Sequence, residues 1–357
     1  MTSPSEPRRA AVVGTGLIGG SLGLALRSRG WIVTGSDADP ANAAAALEIG
    51  AVDAIGEDPS ASVTFIATPV AATVDEARRA LERTDAVVTD VAGVKAPVVA
   101  AISEPGFVGG HPMAGSEQLG LDGADPDLFV GATWVLTPTA STDSGAYASV
   151  RQVVGSIGAE VVSLAPEEHD ALVAVVSHVP HLTAATLMNL ADRASDKHAA
   201  LLRLAAGGFR DMTRVAAGHP GIWPDVCAAN SAAIAATLDE LVSELAAMRD
   251  RVSSGDRDWL LGVLERASVA RRSLPSSAVR PERLTEVRIP VPDRPGVLAE
   301  ITTLAGSTGV NISDLEIAHS AEGQRGVVVL VVPADSAQLL QEGLANRGYQ
   351  STARSLE

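Results

Sequence analysis

The sequence predicts an α/β protein in three parts: a doubly wound sheet, an all-helical region and a small β-α-β-β-α-β module. Three observations predict it. Short apolar runs alternate with helical stretches from residue 10 to residue 164. The alternation stops at Pro166, after which the apolar spacing is helical. Beyond a linker at residues 274–283 that carries Pro275 and Pro281, strand and helix patterns return. The expected boundaries are 1–165, 166–275 and 284–357.

At 357 residues the chain is too long for one ordinary core. A net charge of −16 argues against nucleic acid and anionic membrane as partners. Cys227 is the single cysteine, which excludes an internal disulfide and fits a reducing cytoplasmic location. Residues 1–9 are polar and lack an apolar signal core. The apolar runs are broken by charge or glycine short of the ~18 residues that a membrane span needs.

The first part opens with an apolar strand at residues 10–13. It leads into Gly14-Thr15-Gly16-Leu17-Ile18-Gly19-Gly20-Ser21 and a helix. This is G-x-G-x-x-G in its proper context, a Rossmann-type fingerprint. Its glycines let backbone approach a pyrophosphate, and the helix start supplies N–H donors. Asp37 closes the second strand, where a carboxylate accepts from a ribose 2′-OH and repels a 2′-phosphate, so NAD is expected over NADP. The alternative is a tight turn without a ligand and a surface Asp37. Ligands of such sheets sit outside the carboxyl ends of the strands. The expected cofactor contacts are therefore Gly14, Gly16, Leu17, Ile18, Gly19, Asp37, Thr68, Pro69 and Asp90.

His111 stands in Gly109-Gly110-His111-Pro112-Met113-Ala114-Gly115-Ser116-Glu117, read as a glycine-rich loop after a short apolar run. A neutral imidazole there suits proton abstraction near pH 7, which makes His111 the candidate catalytic residue. The bland alternative is a loop histidine held by backbone bonds. Ser116 and Glu117 share the stretch and are candidate substrate contacts.

Pro166-Glu167-Glu168 reads as a helix start, and the apolar positions through Leu190 fit a mostly buried helix. Pro180 should kink it. His178 and His181 share a face and read as core, interface or substrate-facing rings; no Cys/His cluster accompanies them, so no metal is expected. Gly207-Gly208-Phe209-Arg210-Asp211-Met212-Thr213-Arg214 reads as a polar site loop, with Arg214 either a surface charge or a carboxylate clamp. Residues 230–252 form an amphipathic stripe through Leu238, Leu241, Leu245 and Met248, and 258–273 form another, so a homodimer through this region is expected.

In the last part, strands are expected at 285–291, from 310–312, at 327–332 and at 350–353, with helices opening at Asp293-Arg294-Pro295-Gly296-Val297-Leu298 and at residue 337. That order is ferredoxin-like. It carries no acid–base cluster and reads as a binder.

Together these motifs resemble the prephenate dehydrogenase family, which includes arogenate dehydrogenases. The carrying residues are Gly14 to Ser21, Thr89-Asp90-Val91, Gly110 to Gly115, Ser177-His178-Val179-Pro180-His181 and Gly207 to Arg214. The tail, with Asp293 to Ala299 and Gly309-Val310-Asn311-Ile312, resembles an ACT domain. The resemblance implies an oxidative decarboxylation of prephenate or arogenate in tyrosine biosynthesis, with hydride passing to NAD and the ring becoming aromatic. It implies that His111 is the catalytic histidine, that Arg214 holds a substrate carboxylate, and that His181 and Trp223 line that pocket. Glu117 would suit the ammonium of arogenate, or is an exposed loop acid. For the tail it implies an amino-acid effector such as tyrosine near Asp293, Gly296, Val297, Leu298, Asn311 and Ile312, or a plain dimerisation element. One position departs: the family often has serine just before its Val-Lys pair, and here it is Gly93. The sequence names no partner that orients His111. Competing readings are a 6-phosphogluconate or 3-hydroxyacid type dehydrogenase, which use a lysine at the reaction centre, and a non-catalytic sensor.

Overall fold

The structure, a computed structural model, describes residues 7–115, 118, 120–195, 201–274, 284–292, 294–312, 314–319 and 325–355. It divides into two compact units, Met1–Ser254 and Gly255–Glu357.

The first unit begins with β1 (Arg9–Val13), α1 (Leu17–Arg27), β2 (Ile32–Ser36), α2 (Pro40–Glu48), β3 (Ala54–Ile55), β4 (Val63–Ile66), α3 (Val70–Arg83), β5 (Val87–Asp90), α4 (Ala96–Ala101) and β6 (Phe107–Pro112). It continues through β7 (Thr133–Thr137), α5 (Ser144–Ser156), β8 (Glu160–Ser163), α6 (Pro166–Val173), α7 (Val179–Ser195), α8 (Gly207–Thr213), α9 (Trp223–Ala229) and α10 (Ser231–Ser254). The sheet order is β3-β2-β1-β4-β5-β6-β7-β8. The strand β1 pairs in parallel with both β2 and β4, as the Rossmann-type expectation requires.

The sheet departs from that expectation at one edge. β7 runs antiparallel to β6, and β8 follows β7 in parallel. A parallel neighbour needs a crossover, usually a helix. Between β6 and β7 the chain instead makes a 3-10 turn, Gly120–Gly123, which packs on α1, and returns on the same end of the sheet. α5 then supplies the crossover that lets β8 lie parallel to β7.

Helix starts follow local chemistry. The Asp39 side chain accepts from Ala41 N at the start of α2, with Pro40 as first residue, and Asp143 accepts from Ala146 N at the start of α5. The main core centres on Trp134, wholly buried, with Phe129 and Phe65 at ring-centroid distances of 5.3 and 6.3 Å. Each such ring contributes roughly 1.5–3 kcal/mol by burial.

The helix from Pro166 to Ser195 is continuous, long and apolar enough by composition to cross a membrane, where the sequence reading expects its runs to be interrupted. It is not mostly buried either: Leu172, Val175, Val176 and Leu190 are exposed. Its polar residues His169, Asp170 and His178 are buried inside the first unit. The expected distortion comes before Pro180. Residues Ala174–His178 form a π-helical turn in which Val179 N–H donates to Ala174 O. Such turns are frequent at functional sites. Pro180 falls at the start of α7, where its missing donor is absorbed by the widened turn.

The second unit holds α11 (Arg257–Arg272), β9 (Leu284–Pro292), α12 (Val297–Ser307), β10 (Asp314–His319), β11 (Arg325–Pro333), α13 (Ala334–Asn346) and β12 (Thr352–Ser355). α11, expected with the helical region, belongs to this unit. The antiparallel sheet order β10-β11-β9-β12 is the ferredoxin-like arrangement. The second strand starts at Asp314, beyond the expected 310–312. Val297 and Ile301 on α12 and Leu340 and Leu344 on α13 face Val287, Ile289, Val328 and Leu330 of the sheet.

Candidate active site

The sheet order brings the carboxyl ends of β2, β1, β4, β5 and β6 side by side. Gly14 follows β1 with φ at 91°, and a Cβ there would sit 2.5 Å from Ala67 O. Its N–H donates to Ser36 O at the end of β2, and Ala67 N donates to Val13 O. Gly14, Asp37 and Thr68 therefore stand together beyond the carboxyl ends of β1, β2 and β4. Gly16 caps α1 with no side-chain bond to the helix N–H groups, and open space lies where its Cβ would be. Leu17 and Ile18 form the first turn and are half-buried; Gly19 is buried against Gly14.

Asp37 is held in this cradle by several hydrogen bonds. Thr15 N and Thr15 Oγ1 donate to its Oδ2 at 2.7 and 3.2 Å, and Asp39 N donates to Oδ1 at 2.9 Å. Burial raises its pKa, but these hydrogen bonds outweigh that and hold the carboxyl below its ordinary 3.8. Loop, helix N-terminus and carboxylate fit a dinucleotide with a free ribose diol. Thr68 is half-buried and Pro69 exposed at the start of α3, so both border the same space.

Asp90 does not belong to this set. Its side chain is wholly buried and is consumed inside the protein. It pairs with the equally buried Lys95 Nζ and accepts from Ala92 N and Gly110 N, each at 3.0 Å. Lys95 Nζ also donates to Gly110 O at 2.7 Å. The β5–β6 register ends at Thr89 and Val108, so the ion pair grips both sides of Gly110 where the backbone ladder has stopped. Gly110 must be glycine, because a Cβ would lie 2.7 Å from Asp90 O and 2.9 Å from Thr89 Oγ1.

His111 is the next residue. It lies within β6, paired with Val135 of β7, and not in a loop. Its Nδ1 lies 2.8 Å from Nε2 of His169, and His169 Nδ1 lies 2.8 Å from Asp170 Oδ1. Asp170 also accepts from Lys95 N at 2.7 Å and Ala96 N at 2.8 Å, capping α4 from a helix of the all-helical region. The Nε2 side of His111 faces Gly93, whose Cβ would stand 3.8 Å away. Burial, followed by the Lys95 charge and the neighbouring His169 and His178, holds the His111 pKa well below the ordinary 6.5. The ring is therefore neutral at pH 7 and can accept a proton.

A second wall is built from the helical region. His181 stacks on Trp223 with centroids 3.6 Å apart and planes at 14°, and His178 meets the same indole edge-on at 6.2 Å. Asn230 Nδ2 donates to Asp170 O at 2.8 Å and lies 3.2 Å from His178 Nδ1, joining this wall to the His111 chain. Burial lowers the pKa of both His178 and His181.

The Gly207 stretch is the helix α8, not a loop, because neither glycine takes a left-handed conformation. Arg214 follows it on an exposed 3-10 turn, Arg214–Ala217, that packs on α7 and ends at Gly218 beside His181. Ser116 and Glu117 lie outside the described residues. Among the described residues no group of three or more His, Cys, Asp or Glu side chains could hold a metal ion.

Sequence reasoning missed His169, Asp170 and Asn230. The available signal was Glu167-Glu168-His169-Asp170, a polar run in the first turn of an otherwise apolar helix. Lys95 was visible only as part of a helix-opening loop.

In the second unit Gly296 takes φ of 91° before α12, and Leu298 and Asn311 are exposed near it in sequence. Val297 is a core residue, 4% exposed, so its side chain is not presented to a ligand, while Ile312 is half-buried against the same core. Asp293 lies outside the described residues.

Residues 22–163 match the family description "Prephenate dehydrogenase, nucleotide-binding domain", and residues 165–266 match "Prephenate dehydrogenase, dimerization domain". Prephenate dehydrogenase of Bacillus subtilis strain 168 is 33% identical over 91% of this chain and 92% of its own. The chain belongs to the prephenate dehydrogenase family.

Two solved members of the family share its fold. One is prephenate dehydrogenase from A. aeolicus, solved with hydroxyphenyl propionate and NAD+. It is 28% identical, with a TM-score of 0.71, covering 75% of this chain and 99% of its own. The other, Synechocystis arogenate dehydrogenase, is 33% identical with a TM-score of 0.63 over 74% and 98%. The family assignment makes this protein an oxidoreductase with a nucleotide-binding first domain.

Proposed function

We propose that this protein oxidises and decarboxylates prephenate with NAD as hydride acceptor, giving 4-hydroxyphenylpyruvate and CO2. The carrying observation is a neutral, half-buried His111 at the end of β6, with its Nε2 unblocked by Gly93 and the Gly14–Asp37 cradle on the same edge of the sheet. NAD held by the Gly14–Gly19 loop and Asp37 would supply the hydride-accepting carbon for the carbinol centre. His111 Nε2 accepts the proton of the substrate 4-hydroxyl in the same step. Loss of the ring carboxylate as CO2 makes the ring aromatic, and the imidazolium returns the proton to the phenolate oxygen. Atoms and charge then balance with no net proton.

Arg214, with its planar guanidinium, is the residue for a substrate carboxylate, and the His181–Trp223 stack forms a flat wall for the side chain. Lys95 is unsuited to a lysine-based dehydrogenase mechanism, because it is wholly buried against Asp90. Arogenate is the second substrate reading, motivated by the 33% identity to the Synechocystis arogenate dehydrogenase.

The test is initial rates with prephenate or arogenate and with NAD or NADP. The reading expects reduced cofactor and an aromatic product, with NAD preferred; no turnover in any combination sinks it. His111→Ala should lower kcat by ~10²–10⁴-fold with NAD binding kept.

The chain is further proposed to dimerise through the helical region. The exposed Leu172, Val175, Val176, Val242 and Leu245 support this, as does the dimerization-domain match. Sedimentation should give a dimer. The small module is proposed as an ACT-like sensor of tyrosine or a related amino acid, on its β-α-β-β-α-β order and the Gly296 turn. Calorimetry on the full-length protein that detects no amino-acid binding would remove that reading.

A further inference from the structure

For neutral rings, the bond between His111 and His169 has a direction that the surrounding donors settle. Asp170 Oδ1 takes the Lys95 N–H and Oδ2 takes the Ala96 N–H, and a backbone N–H can only donate. These bonds and His169 more than offset burial and hold the Asp170 carboxyl below its ordinary range, so the group is an anion and only accepts. The 2.8 Å contact from His169 Nδ1 to Asp170 therefore carries the hydrogen on His169. A neutral imidazole has one N–H. For a neutral His169, with that hydrogen committed to Asp170, Nε2 is a lone pair, and the 2.8 Å bond is then donated by His111 Nδ1. The other nitrogen of His111, Nε2, is left with the lone pair, on the side facing Gly93.

We infer that His169, backed by Asp170, is a positioning residue for the oxidation: it locks His111 in the Nδ1–H tautomer, so that Nε2 is the nitrogen that takes the substrate proton. The inference rests on the reading of His111 as the base. The ring plane is set as well, since the two imidazoles meet edge to face at 73°. When Nε2 gains its proton, the new imidazolium donates from Nδ1 into a chain that ends on a carboxylate. The cation is thereby stabilised without the proton moving to Asp170, the logic of a Ser-His-Asp triad with one imidazole interposed. The opposing charge is Lys95, beneath the strand and neutralised by Asp90; His178 is the remaining titratable group facing His111. His169 itself is wholly buried, as a group that touches another residue and not substrate should be.

The direct test needs no variant. In full-length protein with 15N-labelled histidine, imidazole shifts above the His111 pKa should report Nδ1 protonated and Nε2 bare for both His111 and His169. A His111 carrying its hydrogen on Nε2 overturns the inference whatever the activity. Kinetics give the second arm. His169→Leu, which removes both bonds, should lower kcat by at least about ten-fold, toward the ~10⁴-fold cost of a wrong tautomer in the triad enzymes. KM for NAD should stay unchanged, and the acid limb of the kcat/KM profile should move. His169→Gln, whose amide can donate to Asp170 and accept from His111, should recover part of the loss. Equal kcat and equal pH profiles for wild type and His169→Leu overturn the inference. Full activity of His111→Ala would instead sink the base assignment on which it rests, so the two failures are told apart.

Discussion

Lys95 and Asp90 form an ion pair in which both side chains are wholly screened from solvent. The pair clamps the Gly110 peptide, with Asp90 accepting from its N–H and Lys95 donating to its carbonyl, one residue before His111. Removing one partner strands a buried charge, which typically costs about 3–5 kcal/mol. Lys95→Met should therefore destabilise the first unit by that order in denaturant unfolding. Where the variant stays folded at low temperature, losing the Lys95 charge should raise the His111 pKa. Activity on acidification should then fail at a higher pH than in wild type.

Neighbouring glycines should respond oppositely to a methyl group. A Cβ on Gly93 meets His111 Nε2 at 3.8 Å, ordinary van der Waals contact, so Gly93→Ser should fold as wild type and keep kcat within about ten-fold. A Cβ on Gly110 meets the Asp90 carbonyl at 2.7 Å, and backbone cannot step aside there. Gly110→Ala should cost about 1–3 kcal/mol or more and displace His111. Thermal melts and kcat of the two variants side by side check the contrast.

Stability should fall on mild acidification. Burial depresses the pKa of His111, His178 and His181 below their ordinary 6.5. Between the folded values and 6.5 the unfolded chain binds more protons than the folded one. Their contribution is complete above pH 6.5 and is lost as pH falls from there through the folded values. Asp37 and Asp170, both held below 3.8, add a further loss as pH drops below that point. Tm measured from about pH 7.5 to about pH 5 should decline steadily, with a flat Tm over that range contradicting the assignment.

Asp37 should decide the cofactor. Its carboxylate accepts from Thr15 and Asp39 and stands where a ribose diol would reach it. Asp37→Asn keeps the shape and removes the charge. The change should weaken NAD by about 10–100-fold, the value of a charge-assisted hydrogen bond, and should improve NADP relative to NAD. Ratios of kcat/KM for the two cofactors measure it.

The cofactor half of the site was legible because it is local. Gly14, Gly16, Gly19 and Asp37 belong to one β-α-β unit, whose glycine spacing and strand ends sit in contiguous sequence. His111 was legible for a related reason, since a titratable ring beside Gly109 and Gly110 stands out at a strand end. Its placement in a loop was wrong because sequence carries no sign that β7 returns antiparallel and pairs with it. Asp90 was assigned to the cofactor for its position at a strand end, a rule that says nothing about a lysine folding back over it.

What the sequence by itself determined is therefore the fold class, the dinucleotide fingerprint and the candidate histidine. Each is written in periodicity or spacing within a few dozen residues. What only the tertiary structure decided is how that histidine is held. His169 is separated from His111 by an antiparallel strand, a crossover helix and a further strand, and Asn230 by most of the helical region. A hydrogen bond of 2.8 Å between rings that far apart in the chain depends on how α6 packs against the end of β6. No local pattern encodes that packing, because the direction of a bond is set by every donor and acceptor around it at once.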